Sequence, residues 1–143
     1  MDLQRNLRPV MGSVEVEHTA DRAFRVRGRN LAELLENAAH AMVALDGQPP
    51  DSERFIRRVI EVGGSDRETL LVNWLNEILY LEQTHQEVYD HFLLSNVTEN
   101  HLCAQLYGRQ LNRSVTTVKA ATFHNLEIQG TSEGLEATVV VDV

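Results

Sequence analysis

Two aspartates at opposite ends of the chain are the residues whose type and setting most invite a chemical role. Asp21 sits in "EHTADRAFRV" and Asp142 in "ATVVVDV". Asp21 interrupts what reads as two short strands, and an Asp in a turn ordinarily bonds backbone N–H groups. The other reading makes its carboxylate half of a site whose second half lies elsewhere. Asp142 is one residue from Val143, at the end of a run that reads as buried strand. Negative charges crowded and dehydrated there need a cation or hydrogen-bond donors. The bland alternative is a solvated tail, against which stands an apolar alternation running to Val143. Lys119, in "TTVKAATFH", shares an alternating face with Val115, Thr117, Ala121 and Phe123. It either snorkels at a sheet edge or is held for a partner or substrate.

Familiar catalytic signatures are missing. No GxGxxG occurs, Gly63-Gly64 is not followed by Lys-Ser/Thr, and there is no HExxH. None of the six histidines is paired at i, i+4 on an expected helix, and His85 and His91 read as surface or turn residues.

The elements that would position these residues are legible in outline. Val14, Val16 and His18 alternate with Glu15 and Glu17; Phe24 and Val26 then alternate with Arg25 and Arg27 up to Gly28. This predicts a hairpin-like pair with Thr19 to Arg22 in or near its connection. Asn30, answered by Glu33, predicts a capped helix with Leu31, Leu34, Leu35, Ala38, Met42 and Leu45 on one stripe. Gly47 and Pro49-Pro50 end it. "RFIRRVIEV" (54–62) predicts a strand. Ser65 with Glu68 suggests a second capping box, opening a helix that buries Leu71, Trp74, Leu75, Ile78 and Leu79. Strand-like runs follow at 88–96, 101–108, 114–124, 125–130 and 134–143. The fold class expected is α+β, with two helices packed on a largely antiparallel β-sheet. Residues 1–12 read as a loose N-terminal extension and 13–143 as one domain.

Composition narrows the function classes. With 21 acidic against 13 basic residues the net charge is −8, which repels phosphate backbones and disfavours tight autonomous binding to nucleic acid. One cysteine, Cys103, excludes an internal disulfide or a cysteine metal cage. No apolar run spans a bilayer, and "MDLQRNLRPVMGS" lacks the apolar core of a signal peptide. A cytoplasmic protein is expected, so the sequons at Asn96 and Asn112 carry no weight.

Four segments in order, "VEVEHTADRAFRVRGRNLAELLENAAHAM", "LLVNWLNEILYL", "VKAATFHNLEI" and "ATVVVDV", resemble the archease family. The resemblance covers about residues 13–143, and its motifs are jointly specific although each alone is weak. It implies a small α+β protein that is not itself an enzyme. Such a protein serves as cofactor to an RtcB-type RNA ligase, promoting ligase guanylylation and multiple turnover in tRNA splicing and RNA repair. The family's metal-binding acidic residues carry over to Asp21 and Asp142, with Val143 supplying a backbone or carboxylate oxygen. Its functional lysine carries over to Lys119. His18 and His124 match family positions, His18 as a supporting or structural residue and His124 without an assigned role. An all-oxygen set of this kind suits Ca²⁺, Mg²⁺ or Mn²⁺. One departure is Arg22-Ala23, where the family commonly has a small or apolar pair. Two other readings compete: a chaperone-like or specificity-modulating protein for an RNA-modification enzyme such as a tRNA methyltransferase, and a metal-dependent hydrolase using Asp21, Asp142 and His18. The hydrolase has too few ligands and no evident general base.

Overall fold

A computed structural model of the chain describes residues 21–47, 54–113 and 117–143. Strand β1 (Asp21–Gly28) is followed by α1 (Leu31–Ala44), β2 (Phe55–Gly63) and α2 (Arg67–His85). Five strands complete the order: β3 (Glu87–Ser95), β4 (His101–Gln110), β5 (Ala120–Thr122), β6 (Gln129–Thr131) and β7 (Gly134–Asp142). The expected α+β architecture is present, and the described strands form two sheets. In the first, β7 is flanked by β1 on one side and by β5 and β6 on the other; the second runs β2-β4-β3. Every pairing among the described residues is antiparallel.

The two helices explain the division. Helix α1 packs on β1 and β3, and α2 on β2, β3 and β5, so each helix serves both sheets. A helix serving two sheets must bury more than one stripe. Accordingly α2 buries Leu70, Val72, Leu81 and Glu82 besides Leu71, Trp74, Leu75, Ile78 and Leu79. Trp74 lies at the junction. Its indole N–H donates to the Leu35 carbonyl of α1 at 2.9 Å, and its ring meets Phe92 of β3 edge-on at 5.9 Å between centroids.

Both helix starts follow capping chemistry, with shifts from expectation. Asn30 caps α1 by accepting from the Glu33 N–H at 2.9 Å. The Glu33 carboxylate reaches back to the Arg29 N–H at 2.7 Å rather than to that of Asn30. For α2 the cap is Asp66, accepting from the Thr69 N–H at 2.8 Å, and not Ser65. Glu68 is thereby released, and its carboxylate accepts from the Ile128 N–H across the molecule at 2.9 Å.

In the second sheet a bulge lies between Tyr89 and His91 of β3. One extra residue reverses strand parity, so Glu87 and Tyr89 before it and Phe92 after it are all buried. Gly108 of β4 faces this region because a Cβ there would stand 1.8 Å from the Val88 carbonyl oxygen. The inward-facing Glu87 carboxylate is held by Arg58 of β2 through two bonds of 3.0 and 2.8 Å and accepts from the Tyr89 hydroxyl. Burial alone would raise the Glu87 carboxyl; the Arg58 guanidinium and the Tyr89 hydroxyl overcome it and hold the group below its ordinary value. Burial and the neighbouring carboxylate together push the Tyr89 phenol well above its usual range. No helix among the described residues is long and apolar enough to cross a membrane.

Candidate functional site

Strand β7 decides where the two aspartates stand. Its core face carries Ala137, Val139 and Val141, all buried, while Thr138, Val140 and Asp142 alternate onto the other face. Strand β1 pairs with it antiparallel from Gly28 opposite Leu135 to Asp21 opposite Asp142. Residues directly opposite in a ladder project to the same side with Cβ atoms about 5 Å apart. The two carboxylates therefore share one face at one end of the sheet. Asp21 is exposed and Asp142 partly so. Asp21 and Arg22 belong to β1 itself; Thr19, Ala20 and the first arm of the expected hairpin lie outside the described residues. Arg22, opposite Val141, is exposed.

The other edge of β7 supplies the third neighbour. Ala120 stands opposite Asp142, and the Lys119 N–H donates to the Asp142 carbonyl at 2.7 Å. The Lys119 side chain is exposed. Of the long strand expected over 114–124, residues 114–116 lie outside the described residues, and among the rest only Ala120 to Thr122 are regular. Its simple alternation fails, because Val118 and Ala121 are the buried residues while Thr117, Lys119 and Phe123 are exposed. A short strand can leave strict alternation because side chains of α2 hold its backbone. Asn76 bonds both the N–H and the carbonyl of Ala121, at 2.8 and 3.1 Å. Gln83 donates to the Val118 carbonyl at 3.2 Å, and Arg67 to the Ile128 carbonyl at 2.9 Å. The spacing of Asn76 and Gln83, seven residues apart on one helix, is the signal from which this grip could have been anticipated.

The structure thus brings Asp21, Asp142 and the Lys119 backbone together, with Val143 partly buried against the core beside them. His124 does not join them. It is exposed, two residues past the end of β5, with its N–H 3.3 Å from the Thr122 hydroxyl and its ring 3.4 Å from the Asn125 amide. His18 lies outside the described residues. Chemically, the pair offers hard oxygens on adjacent strands. A cation with bonds of about 2.4 Å to each of two oxygens bridges them when they are up to about 4.8 Å apart. That span is compatible with directly opposed Asp side chains, so the residues present fit a hard divalent ion.

Comparison with known proteins places the chain in a family. The model of the Archease protein family matches residues 14–143. The chain belongs to the archease family. A protein archease of Methanosarcina barkeri is 36% identical over 138 residues, covering 90% of this chain and 93% of the relative. That of Archaeoglobus fulgidus is 35% identical over 140 residues, covering 90% and 96%. Among solved structures, a Thermotoga maritima protein described as an archease and possible chaperone superposes with a TM-score of 0.70 at 23% identity, covering 93% of this chain and 98% of the other. A Methanobacterium thermoautotrophicum protein superposes with a TM-score of 0.63 at 28% identity, covering 90% and 96%. The two-helix, antiparallel α+β fold is therefore the archease fold.

Proposed function

We propose that this archease-family chain is a protein cofactor of an RtcB-type RNA ligase and has no catalytic turnover of its own. It promotes guanylylation of the ligase and repeated turnover in tRNA splicing and RNA repair. The observation that carries the reading is the placement of Asp21 opposite Asp142, with Lys119 tied to the same residue. Asp21 and Asp142, with an oxygen of Val143, would hold a divalent cation of the Ca²⁺, Mg²⁺ or Mn²⁺ class. Such an ion supplies positive charge that offsets the opposed carboxylates. The chain's own contribution is positional: β7 fixes the two aspartates, and Asn76 fixes the segment that presents Lys119. With a net charge of −8, its docking surface complements a basic protein better than it does RNA. The setting in which it works is cytoplasmic.

The test is stimulation of ligase guanylylation by the purified protein. Asp142→Ala and a tag appended after Val143 are each expected to abolish most of the stimulation. Full stimulation by both variants refutes the reading.

A chaperone-like role toward an RNA-modification enzyme such as a tRNA methyltransferase is the second reading. One observation favours it: the outer face of the β2-β4-β3 sheet exposes Phe55, Val59 and Leu93, at 74, 63 and 47%. Recovery of a methyltransferase without any ligase by the immobilised protein would select it.

A further inference from the structure

The same outer face carries a second group of metal-binding residue types, at the opposite chemical extreme from the aspartate pair. Glu61 of β2 stands directly opposite Cys103 of β4. His101 precedes Cys103 by two residues on the same strand and so shares its face. One ligand atom from each of the three lies within 4.8 Å of the others.

We propose that Glu61, His101 and Cys103 form a three-ligand site for a borderline divalent cation of the zinc class, with a fourth coordination position open to solvent. Three features support it. The His101 Nε2 is 3.5 Å from the Glu61 Oε1, against about 3.4 Å for the nitrogen–oxygen edge of a tetrahedron with zinc-like bond lengths. Because every ligand atom lies within 4.8 Å of the others, closing the thiol side to a comparable edge takes at most about 1 Å, within reach of side-chain torsions, since Glu61 is exposed. The residue opposite His101 is Gly63, whose missing side chain leaves the imidazole room to lean diagonally toward Glu61.

The frame is also fixed. The β3–β4 turn is closed by the Thr98 N–H on the His101 carbonyl at 2.8 Å, and the Asn96 amide lies 3.9 Å from the Cys103 sulfur. All three ligands stand on paired strands rather than on loops, which sets the approach of one to another. The donor set decides the kind of ion. A thiolate and an imidazole select zinc-class cations over Ca²⁺ or Mg²⁺, which prefer oxygen alone. The chain therefore carries two sites of different hardness on different sheets. The ordinary alternative is a surface ion pair between His101 and Glu61, to which Cys103 would contribute nothing.

Cobalt(II) titration followed by absorption separates the two. The titration is run on the full chain in an Asp21→Asn background, so that the aspartate pair competes less. The proposal expects a saturable thiolate-to-cobalt charge-transfer band in the near ultraviolet at one metal per chain, with visible absorbance of four-coordinate intensity, discharged by one equivalent of zinc. Cys103→Ser is expected to lose the band. His101→Ala and Glu61→Gln are each expected to weaken binding at least tenfold, with unchanged far-ultraviolet circular dichroism. Absence of the band, its survival in Cys103→Ser, or unchanged affinity in His101→Ala overturns the assignment.

Discussion

Replacing Asp21 by Asn should change the sign of its effect on stability with the cation content of the buffer. Asp21 and Asp142 are directly opposed on one face, which puts their Cβ atoms about 5 Å apart and sets the scale of the charge separation. Two like charges at that distance in water repel by about 0.8 kcal/mol, and physiological salt roughly halves this. With a chelator present, Asp21→Asn relieves the repulsion at little steric cost, and the variant should be about 0.4 kcal/mol more stable. For a chain of this size that raises the melting temperature by about 1–2 °C. A hard divalent ion at a hundred times its dissociation constant would stabilise the native protein by about 2.7 kcal/mol. If the Asn side chain binds tenfold more weakly, that gain falls to about 1.4 kcal/mol. The variant then becomes about 1 kcal/mol less stable than the native protein. Thermal unfolding in chelator and in excess Ca²⁺ measures both numbers. A change of one sign in both buffers, or a native melting temperature indifferent to Ca²⁺, Mg²⁺ and Mn²⁺, would show that the opposed carboxylates do not hold a cation.

Two further outcomes follow from buried polar groups. Arg58→Ala strands the Glu87 carboxylate inside the second sheet and should cost about 3 kcal/mol at neutral pH, read by urea unfolding. In the native fold the Glu87 carboxyl is held below its ordinary value, so its stabilising contribution is full above about pH 4.3 and is lost as pH falls through the folded value. In Arg58→Ala burial is unopposed by the guanidinium and raises that group, so the cost should shrink on acidification toward about pH 4; a cost independent of pH contradicts this account. Asn76→Ala should release Ala121 from α2 at about 2 kcal/mol. It should also speed amide exchange at Ala121 and Lys119 more than at Leu102 in the second sheet, and equal acceleration at all three would refute the grip.

The legible parts of the sequence were those governed by local periodicity. The stripes of α1 and α2 and the alternation of β7 each repeat a simple period, and each became the expected element, as did the β2 run, which is β-branched but imperfectly alternating. What escaped notice depends on partners distant in sequence. The bulge in β3 turns Glu87 inward because of Gly108 and Arg58, and no local pattern around residue 87 records them. The segment at 118–122 reads as ordinary alternation, yet Asn76 and Gln83 decide which of its residues are buried. The cap of α2 is Asp66 rather than Ser65, and Glu68 instead bonds the Ile128 N–H across the molecule. The aspartate pair lay between these cases. Each residue alone was ambiguous, and only a resemblance spanning both ends of the chain joined them before the register did.

The β1–β7 pairing also orders the events of folding. The second sheet needs only the strands between Phe55 and Gln110, two of them in a hairpin, whereas Asp21 must find Asp142 across the whole domain. Closing so long a loop sacrifices chain entropy before any ladder bond returns it. Loop-closure entropy therefore favours assembly of the β2-β4-β3 sheet with α2 before β1 docks against β7. On that order the aspartate pair, which exists only once Asp21 is in register with Asp142, forms last, and an ion that recognises it would recognise the finished molecule.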